Sequence, residues 1–243
     1  MWKKALFGVC AALLCSLLLA VPRAYAADQT TGAEKPKRIE LVLVIDKSGS
    51  MGGLESDTIG GFNSMVEKQR ALHIPVRVTA VLFNDKAQTL YDHKAIWRVP
   101  PLTEKEYVTG GTTALLDAVG TTIRRMERTE DIAVSGTKVV FVIITDGLEN
   151  ASTEFTRAAV KRMISDKQEK AGWSFIYLGA NIDAAEEADA IGVDRENAVT
   201  YSNTHTGVRA NYDAVSAYVK EAAEESGAEP GAWKRHVEQD TAK

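Results

Sequence analysis

Residues 39–50 read Ile-Glu-Leu-Val-Leu-Val-Ile-Asp-Lys-Ser-Gly-Ser, an apolar run that stops at a carboxylate and is followed by two hydroxyls at alternate positions. No other stretch limits the fold so tightly. A run of Leu and β-branched residues this short cannot span a membrane, but it fits a strand covered on both faces, as in an α/β protein with a largely parallel sheet. In open α/β sheets ligands gather where such strands give way to loops. Asp46, Ser48 and Ser50 carry oxygen donors only, and period-two spacing in an extended segment sends their side chains the same way. An oxygen-only cluster suits a hard divalent cation. Taken alone, Asp-x-Ser-x-Ser also describes an ordinary turn in which Asp and Ser bond their own backbone, so the reading needs further residues.

Two later segments supply them. Gly110-Gly111-Thr112-Thr113-Ala114-Leu115-Leu116-Asp117-Ala118 puts a hydroxyl in a glycine-rich loop that opens a helix. Val139-Val140-Phe141-Val142-Ile143-Ile144-Thr145-Asp146-Gly147 is a second apolar strand ending in a carboxylate. Together the three segments resemble the von Willebrand factor A domain family, in the family's order and across residues 38–225. The resemblance implies a Rossmann-like three-layer α/β fold, with a mostly parallel central sheet, one antiparallel edge strand and helices on both faces. It also implies a metal-ion-dependent adhesion site formed by Asp46, Ser48 and Ser50 in the first loop, Thr112 in the second and Asp146 in the third. Thr113 is the alternative if the second loop is displaced by one residue. By the same resemblance Ser48 and Ser50 touch the ion directly, Thr112 directly or through water, and Asp46 and Asp146 largely through water.

Residues 1–26 are expected to be a cleaved signal peptide. Lys3 and Lys4 precede the apolar stretch Ala5 to Val21, and Ala24-Tyr25-Ala26 offers the small residues a signal peptidase reads. The stretch is barely long enough for the alternative, an uncleaved anchor. Cys10 and Cys15 both lie inside it, so the mature chain would form no disulfide. Residues 27–37 read as a flexible polar lead and residues 226–243 as a mobile tail, with Trp233 its one apolar anchor point. What remains after cleavage is about 217 of the 243 residues, enough for one α/β domain. Its 26 basic and 33 acidic side chains argue against nucleic acid as a main partner.

Further along, Ser56 or Asp57 is placed to cap a helix with Ile59, Phe62 and Val66 on one face, and Gly60 and Gly61 would let that helix approach a neighbouring backbone. Val76 to Phe83 and Gln88 to His93 read as an antiparallel pair joined by an Asn84-Asp85 turn, the second strand forming a sheet edge. The helix from 113 to 128 is strongly amphipathic; Asp117 reads as solvated surface in its first turns, and Arg124, Arg125 and Arg128 as a solvated basic face. Ser152 or Thr153 is placed to cap the helix after the second apolar strand. A further strand, Trp173 to Leu178, brings Asn181 and Asp183 to the same side as the proposed site. Val208, Tyr212, Val215 and Val219 mark a terminal helix that covers the sheet.

Neutral hydroxyls leave most of a divalent cation's charge uncompensated, which keeps it electrophilic toward a carboxylate from outside. The expected function is therefore binding: an exported, periplasmic or extracellular module that captures an Asp or Glu of a protein partner, in adhesion or in assembly of an envelope complex. Mg²⁺ or Mn²⁺ fits the donors best and Ca²⁺ less well. Met51, Leu54 and Asn181 are expected around the ion as contact surface. Two alternatives stand beside this reading. One is a metal-dependent phosphoester hydrolase, although aspartate-based phosphatases carry a second Asp where this chain has Ser48. The other is an assembly subunit without a functional metal. His73, His93, His205 and His236 fall on separate elements, and neither a Gly-x-Gly-x-x-Gly nor a Gly-Lys-Ser/Thr motif occurs.

Overall fold

The computed structural model describes residues 35–224, 232–235 and 237; the expected signal peptide, most of the polar lead and most of the C-terminal tail lie outside the described residues. In chain order the strands are β1 (Arg38–Asp46), β2 (Val76–Phe83), β3 (Ala87–Ala95), β4 (Thr137–Thr145), β5 (Ser174–Ala180) and β6 (Ala198–Tyr201). The helices are α1 (Glu55–Arg70), α2 (Leu115–Glu127), α3 (Arg157–Ala171), α4 (Ala184–Ile191) and α5 (His205–Ala223). The strands form one sheet in the order β3-β2-β1-β4-β5-β6. All pairs are parallel except β2 with β3, which makes β3 the antiparallel edge.

β1 lies between β2 and β4, with Leu41 opposite both Val78 and Val140. Alternate side chains of β1 enter different layers. Leu41, Leu43 and Ile45 pack with Phe62, Met65, Tyr212 and Val215 of α1 and α5, whereas Val42 and Val44 pack with α2, α3 and α4 through Val119, Ile123, Val160 and Ala188. A strand covered on both faces gains from apolar residues at every position, which is why β1 and β4 show no polar alternation. Strand order reverses between β1 and β4, and ligand crevices of open α/β sheets form at the carboxyl ends of strands flanking such a reversal.

The edge strand carries an irregularity with a consequence inside the sheet. Its register against β2 shifts around Thr79, and His93 adopts a left-handed φ of 46° with its N–H donating to Thr79 Oγ1 at 3.0 Å. The His93 ring then reaches across to β1, where Nδ1 lies 2.9 Å from Oε2 of the fully buried Glu40.

Helix starts differ from the sequence expectation. Leu54 occupies the N-cap of α1 without a side-chain hydrogen bond. Asp57, expected to compete for that role, instead accepts two Arg209 N–H groups at Oδ1 and meets His205 at Oδ2, tying α1 to α5. Thr156, not Ser152 or Thr153, caps α3, accepting from the Ala159 N–H. Gly61 does permit a close approach, but to a side chain: a Cβ there would lie 2.3 Å from the Tyr212 ring of α5, while Gly60 meets nothing within 4 Å. Beyond α5, Trp233 and Val237 are buried against the same layer, and Trp233 meets Tyr218 edge-on at 5.8 Å.

Candidate metal centre

Asp46 ends β1 with its side chain fully buried. Oδ1 accepts the Ser48 N–H at 2.7 Å, and Oδ2 accepts the Thr145 hydroxyl of β4 at 2.6 Å. Thr145 Oγ1 in turn accepts the Gly147 N–H at 3.2 Å, so one hydroxyl locks the ends of β1 and β4 together. Below, the Tyr107 hydroxyl donates to the Asp46 carbonyl at 2.6 Å. Burial pushes the Asp46 carboxyl up to about 6, against the pull of its Thr145 and Ser48 hydrogen bonds, with the nearby Asp146 charge adding to the rise.

Ser48 and Ser50 emerge from the turn that Asp46 holds. Their hydroxyl oxygens are 3.1 Å apart, and Ser50 Oγ donates to Asp146 Oδ1 at 2.6 Å, joining residues separated by 96 positions. The other Asp146 oxygen accepts from Asn203 Nδ2 at 3.1 Å. Burial raises the Asp146 carboxyl, opposed by the hydrogen bonds it accepts. Asn203 lies in the short link between β6 and α5, and no pattern in the sequence singles it out.

The second loop departs from expectation by one residue. Thr112 is exposed and offers its backbone N–H to Asp85 Oδ1 at 3.2 Å. Thr113 is 3% exposed, its N–H donates to Asn150 Oδ1 at 2.9 Å, and its carbonyl accepts the Asn150 N–H at 3.1 Å. A Cβ built on Gly147 would lie 3.0 Å from Thr113 Oγ1 and 3.5 Å from Ser50 Oγ, so both hydroxyls face the same small space. The cause is the glycine pair. Gly110 and Gly111 have φ of 150° and 80°, and a Cβ at Gly111 would sit 1.9 Å from Asp85 Oδ1. Backbone of that hand turns Thr112 outward and brings Thr113 in.

The third loop is held from α2. Asp117, expected at the solvated surface, accepts the N–H groups of Thr153, Glu154 and Phe155 at 2.8–2.9 Å. Glu149 accepts from Ala151, Ser152 and Leu116 at 2.7–2.9 Å. Segment 146–156 contains no helix or strand, yet its backbone donors are fixed by two carboxylates.

Of the residues expected to surround the ion, Met51 and Leu54 are 1% and 6% exposed and cannot serve as contact surface. Leu54 joins the apolar layer with α1 and α5, and Met51 is buried in the short turn Gly49–Met51. Asn181 is exposed, with a left-handed φ of 52°, and its Oδ1 accepts the Asn203 N–H at 3.3 Å.

The converging donors are oxygens: hydroxyls of Ser48, Ser50 and Thr113 and carboxylates of Asp46 and Asp146. Among the described residues no group of three His, Cys, Asp or Glu side chains is placed to hold a metal, because three of these five donors are hydroxyls. Oxygens at neighbouring corners of an octahedron with Mg²⁺ arms of about 2.0–2.1 Å lie roughly 2.9 Å apart, which the Ser48–Ser50 pair approaches. The space that a Cβ on Gly147 would fill is also the one that Ser50 and Thr113 share. Donor chemistry and the spacing of the Ser48–Ser50 pair fit a small divalent cation. Histidine is placed elsewhere: His93 meets Glu40 near the start of β1, and His205 meets Asp57 on α1.

A family model described as the von Willebrand factor type A domain matches residues 40–210. A search of curated proteins gives no match. Among solved structures, proximal thread matrix protein 1 from the mussel byssus, with a zinc-occupied MIDAS motif, superposes with a TM-score of 0.54 at 17% identity, over 76% of this chain and 46% of its own. The chain thus spans about half the length of that protein. The PilB minor pilin of Streptococcus sanguinis gives a TM-score of 0.58 at 9% identity, covering 81% of this chain and 64% of the pilin. The vWF domain of the type V pili tip protein Mfa5 from Porphyromonas gingivalis gives 0.55 at 10%, covering 78% and 97%. At such identities the likeness is one of fold. Among the described residues no helix is long and apolar enough to cross a membrane.

Proposed function

Because the chain belongs to the von Willebrand factor type A domain family, we propose that it is an exported, non-catalytic binding module that captures an acidic side chain of a protein partner through a divalent cation. The solved neighbours come from a byssus matrix and from pili, settings of adhesion and assembly, which agrees with this reading. Ser48, Ser50 and Thr113 would hold the ion through hydroxyls. Asp46 and Asp146 would act largely through water, since both oxygens of each already accept hydrogen bonds from the protein. When bound, Mg²⁺ or Mn²⁺ supplies an under-neutralised coordination position for a carboxylate from outside.

The protein's own residues fix the donors before any ligand arrives. Thr145 clamps Asp46, Asn203 clamps Asp146, and Asn150 clamps the Thr113 backbone. Preorganised donors lower the cost of ordering the site on binding. The observation that carries the proposal is the 2.6 Å contact between Ser50 and Asp146, which brings the first and third loops to one point.

The test is partner capture from envelope extract by the mature chain, with Mg²⁺ and with chelator, using wild type, Thr113→Ala and Thr112→Ala. Capture should vanish with chelator, fall at least about tenfold for Thr113→Ala, the loss of roughly one hydrogen-bond-scale interaction to a charge, and stay within twofold for Thr112→Ala. Capture indifferent to chelator would sink the reading. Metal-dependent release of phosphate from generic phosphoesters, lost in Asp46→Ala, would replace it with a hydrolase.

A further inference from the structure

The chain carries 33 acidic against 29 basic side chains, yet one groove on it is walled by arginine. Arg124 and Arg125 occupy the last turn of α2 and Arg128 its C-cap. The sequence alone reads them as a solvated face, and cations do suit the negative end of a helix dipole. The dipole accounts for their charge but not for how they are held. A Cβ at Gly120 would lie 2.4 Å from the Phe155 ring, so the ring seats against α2 only because residue 120 has no side chain. One turn further along, the Arg124 guanidinium lies over that ring, 4.5 Å from its centroid. A guanidinium on an aromatic face keeps its N–H donors for other acceptors.

The remaining walls are fixed as well. Arg125 Nη1 donates to Asp92 Oδ2 at 2.7 Å, which ties α2 to the edge strand. Opposite, the N–H groups of Glu154 and Phe155 are both bound by Asp117 Oδ1. Among the described residues no carboxylate pairs with Arg124 or Arg128. Like charges four residues apart on a helix repel, so these two guanidiniums gain from an anion between them. The groove they share with Thr121, Thr129 and Glu154 has a volume of about 440 Å³, within the range of small-molecule sites and far more than a lone inorganic anion fills. Two hydroxyls and a carboxylate are suited to the hydroxyl groups of a polyol.

From this groove we infer a second binding site, for a sugar-sized organic oxyanion whose phosphate or carboxylate meets Arg124 and Arg128 while its hydroxyls meet Thr121, Thr129 and Glu154. Forked guanidinium donors match both kinds of oxyanion. The site is separate from the metal centre, since Arg124 lies nine residues beyond Leu115 at the start of α2, about 14 Å at 1.5 Å per residue. Bulk charge works against it: a chain of net charge -4 repels anions, so binding has to come from these side chains.

The experiment is isothermal titration calorimetry of the mature chain with glucose 6-phosphate, glucuronate, glucose and inorganic phosphate, in chelator throughout so that no ion at the metal centre can take up the oxyanion. Saturable binding of glucose 6-phosphate or glucuronate is expected, with glucose and inorganic phosphate each at least about tenfold weaker; the better of the two acids tells phosphate from carboxylate. Arg124→Gln and Arg128→Gln should each cost about tenfold in affinity with the melting temperature unchanged, as for the loss of one hydrogen bond to a charge. Arg162→Gln on α3, which removes the same charge outside the groove, should bind as wild type does. No saturable binding of either acid, equal binding of inorganic phosphate, or an equal loss in Arg162→Gln overturns the site.

Discussion

Glu40 carries a carboxylate into the interior of β1, fully buried, with the His93 ring as its facing partner. Burial pushes this carboxyl above its ordinary range, while His93, Arg77 and Arg38 pull it back. The native state therefore holds the proton more tightly than the unfolded chain. Stability from the protonated form is fully present below the unfolded pKa of about 4.3 and is lost as pH rises through the higher native value. Glu40→Gln, which keeps the shape and removes the charge, should melt with wild type near pH 4 and above it by pH 7. A variant that instead melts below wild type at pH 7 would mean that pairing with His93 outweighs burial. Nothing in the sequence marks this pair, since it depends on the bulge that turns His93 inward. Thr113 was hidden for a related reason. The hydroxyl was legible, but the choice between neighbouring threonines depends on φ at Gly110 and Gly111, which residue type permits without specifying. Asp46, Ser48, Ser50 and Asp146 were legible because each follows directly from where an apolar strand stops.

At the scale of elements, the strands read more clearly than the helix ends. Candidate capping residues at the start of α1 and ahead of α3 proved to have tertiary partners: Asp57 with Arg209 and His205, and Ser152 with the Asp117 N–H of α2, which its hydroxyl accepts. A side chain that caps locally and one that binds a distant element look alike in a sequence. The glycine pair in α1 separates into two physical cases. At Gly61 the Tyr212 ring occupies the space a methyl would take, and α1 and α5 are in contact there. Gly61→Ala should therefore destabilise the protein by about 1–3 kcal/mol through forced separation of the helices. Gly60 faces open space, so Gly60→Ala should stabilise by about 0.5–1 kcal/mol by restricting the unfolded chain and favouring helix. Urea unfolding of the two single variants decides it; equal effects would show that the contact with Tyr212 does not set the helix spacing.

For the whole molecule, the location of the site follows from topology and its chemistry from charge. Strand order reverses between β1 and β4, and at their carboxyl ends Asp46 and Asp146 lie close enough for the Asp146 charge to raise Asp46. Two carboxylates held partly out of water resist ionising together, and a cation between the loops would relieve that repulsion. The two apolar layers on either face of the sheet are built from residues other than the five oxygen donors. Metal should therefore act by mass action on a folded protein rather than as a folding nucleus. Chelator should leave the circular dichroism spectrum unchanged. Added Mg²⁺ should raise stability as RT ln(1 + [Mg²⁺]/Kd), about 2.7 kcal/mol at a hundredfold excess over Kd. Ser50→Ala removes both a donor and the 2.6 Å link to Asp146, so its melting temperature should stay flat across the same titration. A wild-type melting temperature that does not move between chelator and millimolar Mg²⁺ or Mn²⁺ would mean that these oxygens hold the loops together and nothing else.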